Sequence, residues 1–548
     1  MLVSPEPAKA LKPCRVLMVQ PRFTAPSFWN YRATCNAFGA RYPTQPLNLI
    51  TVAAMLPSSW DVRLIDRNTE ELTSAHLDQA DLVMTGGMMA QKTDTLEIIK
   101  ICRARGIPVV VGGPDVTSSP YLYDDADFQV QGEAEDIMAA FVNAWTAGEK
   151  RGVFKAEKFQ VDITRSPIPR FDLLTLRHYF YIGIQFSRGC PFTCEFCDII
   201  ELYGRVPRTK TNEQMLAELD ALYRLGFRGT VLFVDDNFIG NKKAIKHFLP
   251  VLATWQKERG YPFHFVTEAT INLADDDQLL GLMRKSNFIG IFIGIESPDA
   301  DTLIATQKKQ NTRRSLVASV NKIYGAGMYV YAGFIVGFDS EKKSVANEMI
   351  DCIEAMSIPA CMVGLLVALP GTQLTRRLAR EGRLHRGTDV LFETAADQGI
   401  AGLNFVTLRP RRDVFVDYTT VLEKIYSPDA YFERVRRLGR LLNRPDRTAA
   451  RVSGHQLLMI ARLIWRIVTE EKDIRRSFWS TAFDCALHNL PAFGDVLFMA
   501  ALYLHLGPFA RYVRACAEEQ VASIDSGEMH EFTAESGTSM SQHGGRLA

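Results

Sequence analysis

The chain has 548 residues, too long for one ordinary core. Hydrophobic residues make up 47% of it and charged residues 23%, a globular rather than disordered composition that predicts two or three domains. Lys+Arg (63) and Asp+Glu (62) nearly cancel, which argues against nucleic acid as a partner, since phosphate binding leaves a basic surplus. The ten cysteines are too sparse for a disulfide framework and the opening MLVSPEPAKALKP is no signal peptide, so reduced thiols in the cytoplasm are expected.

In chain order, RVLMVQ (Arg15–Gln20), VRLID (Val62–Asp66), DLVMTGG (Asp81–Gly87), VVVGGP (Val109–Pro114) and FQVQGE (Phe128–Glu133) read as buried parallel strands, with helix-length segments such as Gln91–Arg105 and Ala134–Gly148 between them. This alternation predicts a Rossmann-like, doubly wound α/β domain over residues 1–150, with its ligand at the C-terminal strand ends. Residues 151–180, with the turn-rich SPIPRF, read as a linker. A second series follows: IGIQFS (Ile182–Ser187), TVLFVDD (Thr230–Asp236), FHFVTEA (Phe263–Ala269), GIFIGIE (Gly290–Glu296), VYAGFIVGF (Val330–Phe338) and MVGLLVALP (Met362–Pro370). Six βα units predict a partial (β/α)6 TIM-type barrel over residues 181–385, with its chemistry at the C-terminal strand ends. Residues 386–517 read as a helical domain with arginine-rich and aromatic faces. Residues 518–548 have little to bury and are expected to be disordered.

The sharpest motif is FSRGCPFTCEFCDI, which sets Cys190, Cys194 and Cys197 at C-x3-C-x2-C spacing directly after the first strand of the second series. A cubane has four irons, so three thiolates leave one iron open to a small molecule. Structural zinc takes four protein ligands, and no nearby His or Cys completes the set. The loop, with aromatic Phe196 before the third cysteine, resembles that of the radical S-adenosylmethionine (SAM) superfamily. The resemblance implies a [4Fe–4S] cluster on Cys190, Cys194 and Cys197 that cleaves SAM reductively. It also implies that Asp235, Asp236 and Asn237 lie beside the methionyl end of SAM, and that Glu296 and Ser297 bind its ribose or amino group. A carboxylate suits both tasks, because it accepts hydrogen bonds from hydroxyls and from an ammonium. Gly333 and Gly337 would admit the adenine by backbone approach or serve packing alone. Glu268 is a further cofactor-pocket candidate or a buried carboxylate satisfied locally, and the lone His178, His247 and His264 read as surface or core residues.

At the strand ends of the first series stand Gln20, Thr85, Gly86, Gly87, Gly112, Gly113, Pro114, Gly132 and Glu133. Here TGGMM, VVVGGPDVTSSP and QGEAED resemble the cobalamin-binding domains fused to many radical SAM enzymes. Glycines at strand ends let a bulky corrin lie against the backbone; taken alone they would serve any nucleotide-binding α/β domain, although no G-x-G-x-x-G follows the first strand. The loop VQPRFTAPSFWNY holds no histidine, so it offers cobalt no lower imidazole ligand.

Over about residues 14–515 the chain is similar to the cobalamin-dependent (class B) radical SAM methyltransferases that include hopanoid C-2 methylases and bacteriochlorophyllide side-chain methylases. The resemblance implies C-methylation of unactivated or weakly activated carbon in a large apolar molecule, a polycyclic terpenoid lipid or a tetrapyrrole. A 5′-deoxyadenosyl radical would abstract hydrogen and methylcobalamin would supply the methyl group. A cyclase or ring-rearranging oxidase without net methyl transfer would use the same cofactors, and a cobalamin or redox sensor is the non-enzymatic alternative. The implied partners are the apolar substrate and an electron donor such as flavodoxin or ferredoxin. HQLLMIARLIWRIV and LPAFGDVLFMAALYLHLGPFARYV read as core helices of a C-terminal cap or as peripheral membrane contacts at the cytoplasmic face, each being interrupted by polar or helix-breaking residues.

Overall fold

The computed structural model describes residues 12–385, 402–444, 454–469 and 471–527. They form two compact units, one of residues up to Thr24 plus Pro46–Thr175, the other of Ala25–Gln45 plus residues from Leu176 onward. The first seven strands are β1 (Arg15–Gln20), β2 (Tyr42–Thr44), β3 (Asp61–Asp66), β4 (Leu82–Gly86), β5 (Val109–Gly112), β6 (Phe128–Gln131) and β7 (Gly152–Lys155). All but β2 make one parallel sheet in the order β3-β1-β4-β5-β6-β7. The runs in β1 and β4 are apolar on both faces because both faces are covered; every residue of β4 is buried, as parallel sheets require. Strand order reverses between β1 and β4, and ligands of such sheets sit at this switch point, beyond the carboxyl ends of the strands. The stretch 151–180 is more than a linker: it supplies β7, which alternates half-buried and exposed residues as an edge strand does.

In the second unit β8 (Tyr179–Ile184), β9 (Ser187–Arg188), β10 (Arg208–Thr209), β11 (Gly229–Phe233), β12 (Phe263–Glu268), β13 (Phe288–Glu296), β14 (Tyr329–Val336) and β15 (Cys361–Leu365) follow. A seven-stranded parallel sheet runs β15-β14-β13-β12-β11-β8-β2. These are the six expected barrel strands plus β2, a seventh contributed by the segment that leaves the first unit after Thr24. Gln45 fixes β2 there: its Oε1 accepts the Gly183 N–H at 2.7 Å and its Nε2 donates to the Gly183 carbonyl at 2.8 Å. The side-chain amide thus takes the place of a neighbouring strand's backbone. Register shifts between Gly294 and Glu296, where β13 bulges against β14, a device that re-aims side chains.

Helices Arg411–Ile425, Pro428–Leu441, Gly454–Thr469, Arg475–His488 and Phe493–Asp525 complete the second unit. Arg434, with no exposed surface, donates to the carbonyl of Ile358 at 2.9 Å and pairs with Glu354 at 2.5 Å, so its buried charge is compensated. Among the described residues one helical stretch, Leu490–Asp525, is long and apolar enough to cross a membrane, and 67% of its apolar window is buried inside the protein, the condition of a core helix. This helix also corrects the expected tail: residues 518–525 remain helical, since AEEQVASID is rich in helix formers and Ala517 still packs inward. Of the predicted helical domain, residues 386–401, 445–453 and 470 lie outside the described residues, as does the tail beyond 527.

Candidate active site

The three cysteines lie on the loop that leaves the carboxyl end of β8, and its ends are tied by the β9–β10 ladder. Gly189 opens the loop with φ +97°, and a Cβ there would sit 3.0 Å from the Gly204 carbonyl and 3.2 Å from that of Val206, so only glycine fits. The Cys190 N–H donates to that Gly204 carbonyl at 3.2 Å, and the Glu195 N–H donates to the Thr306 carbonyl at 3.0 Å. On the far side the Glu195 carbonyl accepts the Leu374 N–H at 2.9 Å and its carboxylate binds Arg377 at 2.5 Å. The loop is therefore held by segments that follow β13 and β15 before any metal is added.

The acids expected beside SAM act first on this loop. Asp235 is buried; its carboxylate accepts the Phe186 N–H at 3.1 Å, the Ser187 N–H and the Ser187 hydroxyl at 2.6 Å. Burial nevertheless pushes it up to about 7, since desolvation outweighs the hydrogen bonds. Asp236 accepts the Gly189 N–H at 2.8 Å. The Asn237 Nδ2 lies 3.9 Å from the Cys190 Sγ, and its Oδ1 faces the Thr270 N–H and hydroxyl at 3.4 Å. The end of β11 thus positions the cluster loop. Burial raises the Cys190 and Cys197 thiols, so a metal bound there would have to displace their protons.

Gln310 Nε2 reaches the Cys194 Sγ at 3.6 Å while its Oε1 is buried without a partner. Among the described residues no three His, Cys, Asp or Glu side chains gather closely enough to hold a single metal ion. Three thiolates suit a cubane, which takes one thiolate per iron, rather than tetrahedral zinc, which takes four protein ligands.

Glu296 has φ +68° and forms a buried ion pair with Lys308 at 2.6 Å. Gly294 makes this pair possible, because a Cβ there would lie 2.3 Å from the Glu296 Oε1 and 2.8 Å from the Lys308 Nζ. Burial alone would lower Lys308; Glu296 and the thiols of Cys194 and Cys197 reverse that and hold it protonated. Sequence reasoning missed Lys308, Gln310 and Asn311, because KKQN reads as a solvated charge run. Asn311 donates to the carbonyls of Gly294 and Ile295, both at 2.9 Å. Ser297 Oγ accepts the Asp299 N–H at 3.1 Å.

Glu268 is enclosed by the barrel wall, yet its side chain remains accessible, as for a group lining a cavity. Burial, with the charges of Asp236 and Asp235, pushes it up to about 7. It is the register partner of Phe292, and Phe292 of Tyr331, so all three share one face of the sheet. Gly333 leaves room for the Phe292 ring, which a Cβ would approach to 3.1 Å. Tyr331 bonds the Tyr181 hydroxyl, which also bonds Tyr31. A pocket of about 350 Å³ adjoins the cluster loop, lined by Phe196, Thr306, Phe338, Ser340, Leu366 and Arg377. Gly337 does not present its N–H to this space: Glu341 accepts it at 3.0 Å.

In the first unit the parallel register brings the predicted strand ends together, Val19 beside Thr85 and Gly86 beside Gly112. A Cβ on Gly86 would meet the Gly112 carbonyl at 2.0 Å, so part of the glycine signal is backbone packing. The Thr85 hydroxyl is spent on the Val19 carbonyl at 2.8 Å. Gly132 donates its N–H to Thr117, Glu133 is buried, and Pro114 opens the short helix Pro114–Ser118. The Gln20 Oε1, at the switch point, is buried with no partner. It is an acceptor suited to the amide N–H groups that fringe a corrin. His76, the histidine of this unit, is engaged by the Thr73 N–H and Arg63.

The chain matches the radical SAM superfamily over residues 184–353, the B12 binding domain over 35–142 and a domain of unknown function, DUF4070, over 372–519. It is 42% identical to an uncharacterized methyltransferase of Synechocystis sp., over 92% of this chain and 94% of that one. It is 35% identical to the hopanoid C-2 methylase of Rhodopseudomonas palustris, over 85% and 88%. With the bacteriochlorophyllide d C-12(1)-methyltransferase of Chlorobaculum tepidum it shares 25% over 60% and 72%. Among solved structures, the radical SAM methyltransferase TsrM from Kitasatospora setae, with cobalamin and a [4Fe–4S] cluster, shares the fold at a TM-score of 0.56 and 15% identity, over 68% of this chain and 78% of that one. The cobalamin-dependent radical SAM enzyme OxsB does so at 0.58 and 14%, over 96% and 84%.

Proposed function

Since this chain belongs to the cobalamin-dependent radical SAM methyltransferases, we propose that it methylates carbon in a large, flat, apolar molecule, a polycyclic terpenoid lipid of the hopanoid kind. The cluster and SAM supply a carbon radical when bound, and methylcobalamin supplies the methyl group. Cys190, Cys194 and Cys197 would hold the cluster. Asp235, Asp236 and Asn237 fix their loop, and Glu296 with Lys308 places a compensated charge beside it. Glu268 and Phe196, which are accessible, would face SAM beside the buried Ser297, and the strand ends from Gln20 to Glu133 would hold cobalamin.

The observation that carries the substrate reading is the barrel face of Phe292, Tyr331 and Glu268, where ring surfaces adjoin one acid and a hydroxyl cluster. Such a wall suits a broad hydrocarbon with at most one polar end. The 35% identity with the hopanoid C-2 methylase over most of both chains supports it. Deleting the gene in the producing strain is expected to remove one methyl group from a polycyclic lipid, with return on complementation. Loss of a small polar metabolite instead contradicts the substrate class, and loss of a ring closure or a change of oxidation state contradicts methyl transfer.

A further inference from the structure

Helix Arg475–His488 has two unlike faces. Phe478, Thr481, Ala482 and Cys485 are buried against the rest of their unit. The opposite side carries Trp479, Phe483 and Leu487, and Leu490 continues the line in the turn that follows. The spacing of four residues confines Trp479, Phe483 and Leu487 to an arc of roughly 80°. Phe483 is 63% exposed, Leu487 82% and Leu490 65%, and the Trp479 ring lies 5.8 Å from that of Phe483. Three exposed large apolar side chains beside a half-buried tryptophan mark a surface that meets something.

The surrounding charge says what. Arg476, exposed, is the ionisable residue within the arc, with Arg475 beside it; just before the helix Lys472 stands between Glu471 and Asp473. The nearest acid on the helix, Asp484, lies at the flank and is held by Arg440, whose Nε is 2.9 Å away. The face therefore offers two arginines beside hydrocarbon. A tryptophan stands at its margin. That composition fits anionic lipid better than protein, whose interfaces need paired donors and acceptors.

We propose that this face docks the enzyme on an anionic bilayer. Trp479 lies at headgroup depth, Phe483, Leu487 and Leu490 enter the acyl boundary, and Arg475 and Arg476 meet lipid phosphates. The surface stands whatever substrate the barrel accepts, so its test is separate from that of the methylation.

The full chain, with its cluster reconstituted, is floated with vesicles of phosphatidylglycerol and phosphatidylcholine, or of phosphatidylcholine alone. Wild type is expected to float with the anionic vesicles and to be released by salt. The double variant Phe483→Ser, Leu487→Ser, altered only at exposed positions, should melt as wild type does and bind at least about tenfold more weakly. Arg475→Gln with Arg476→Gln should lose the preference for phosphatidylglycerol. Equal binding by the serine variant overturns the proposal. So does a wild type that ignores both vesicles and self-associates through this face by light scattering.

Discussion

Glu296 and Lys308 show how single residues set the chemistry of this barrel. The glutamate takes a left-handed conformation at a strand bulge, with a lysine at 2.6 Å and a neighbouring position restricted to glycine. Such strain persists only where the surroundings impose it, and here it points a compensated charge toward the cysteine loop. A different balance holds at Glu341. It accepts the Gly337 N–H at 3.0 Å, yet burial pushes its carboxyl up to about 7. The unfolded chain ionises this group near the ordinary glutamate value. Stability from the site is therefore complete below that value and is lost as pH rises through about 7. Glu341→Gln should flatten the fall of melting temperature between about pH 5 and pH 8, removing a pH-dependent contribution of up to ~3 kcal/mol. A variant whose melting temperature tracks wild type across that range contradicts this account.

At the scale of elements, β2 is the departure from a simple six-unit barrel. Three residues pair with β8, and Gln45 satisfies both backbone groups of Gly183. Gln45→Ala would leave that buried donor and acceptor unmet and should destabilise the second unit by at least about 2 kcal/mol. The denaturation midpoint measures it, and an unchanged midpoint would show that β2 is held by other contacts. The strand was invisible in the sequence because YPT is too short for periodicity and its partner lies more than a hundred residues away. The β9–β10 ladder was hidden because its two-residue strands are likewise too short for periodicity. Long apolar runs such as RVLMVQ and GIFIGIE were legible because burial on both faces writes itself into composition, and the cysteine spacing was legible because the ligands are local. Lys308 was hidden because its meaning comes from Glu296, twelve positions earlier, and from a loop still farther upstream. Asp235 was found as a residue, but its partners in the loop are a tertiary fact.

For the whole molecule, the chain divides its cofactors between two α/β units that share a principle: parallel strands deliver all their carboxyl ends to one side, where reactive groups can be gathered. In the first unit that edge collects Gln20, the glycines at 86, 87, 112 and 113, and Glu133. In the second it collects the cluster loop, Glu268 and Glu296. The most direct test of the central claim, methyl transfer by this pair of sites, is one anaerobic incubation. It combines the reconstituted full chain, hydroxocobalamin, a reductant, a polycyclic terpenoid lipid and SAM deuterated in its methyl group, so that the only methyl group available to cobalt carries deuterium. The account predicts that 5′-deoxyadenosine forms and that the lipid gains a deuterated methyl group, with Cys194→Ala yielding neither. Formation of 5′-deoxyadenosine with a lipid product that carries no deuterium, or a methylated lipid from the Cys194→Ala chain, would contradict it.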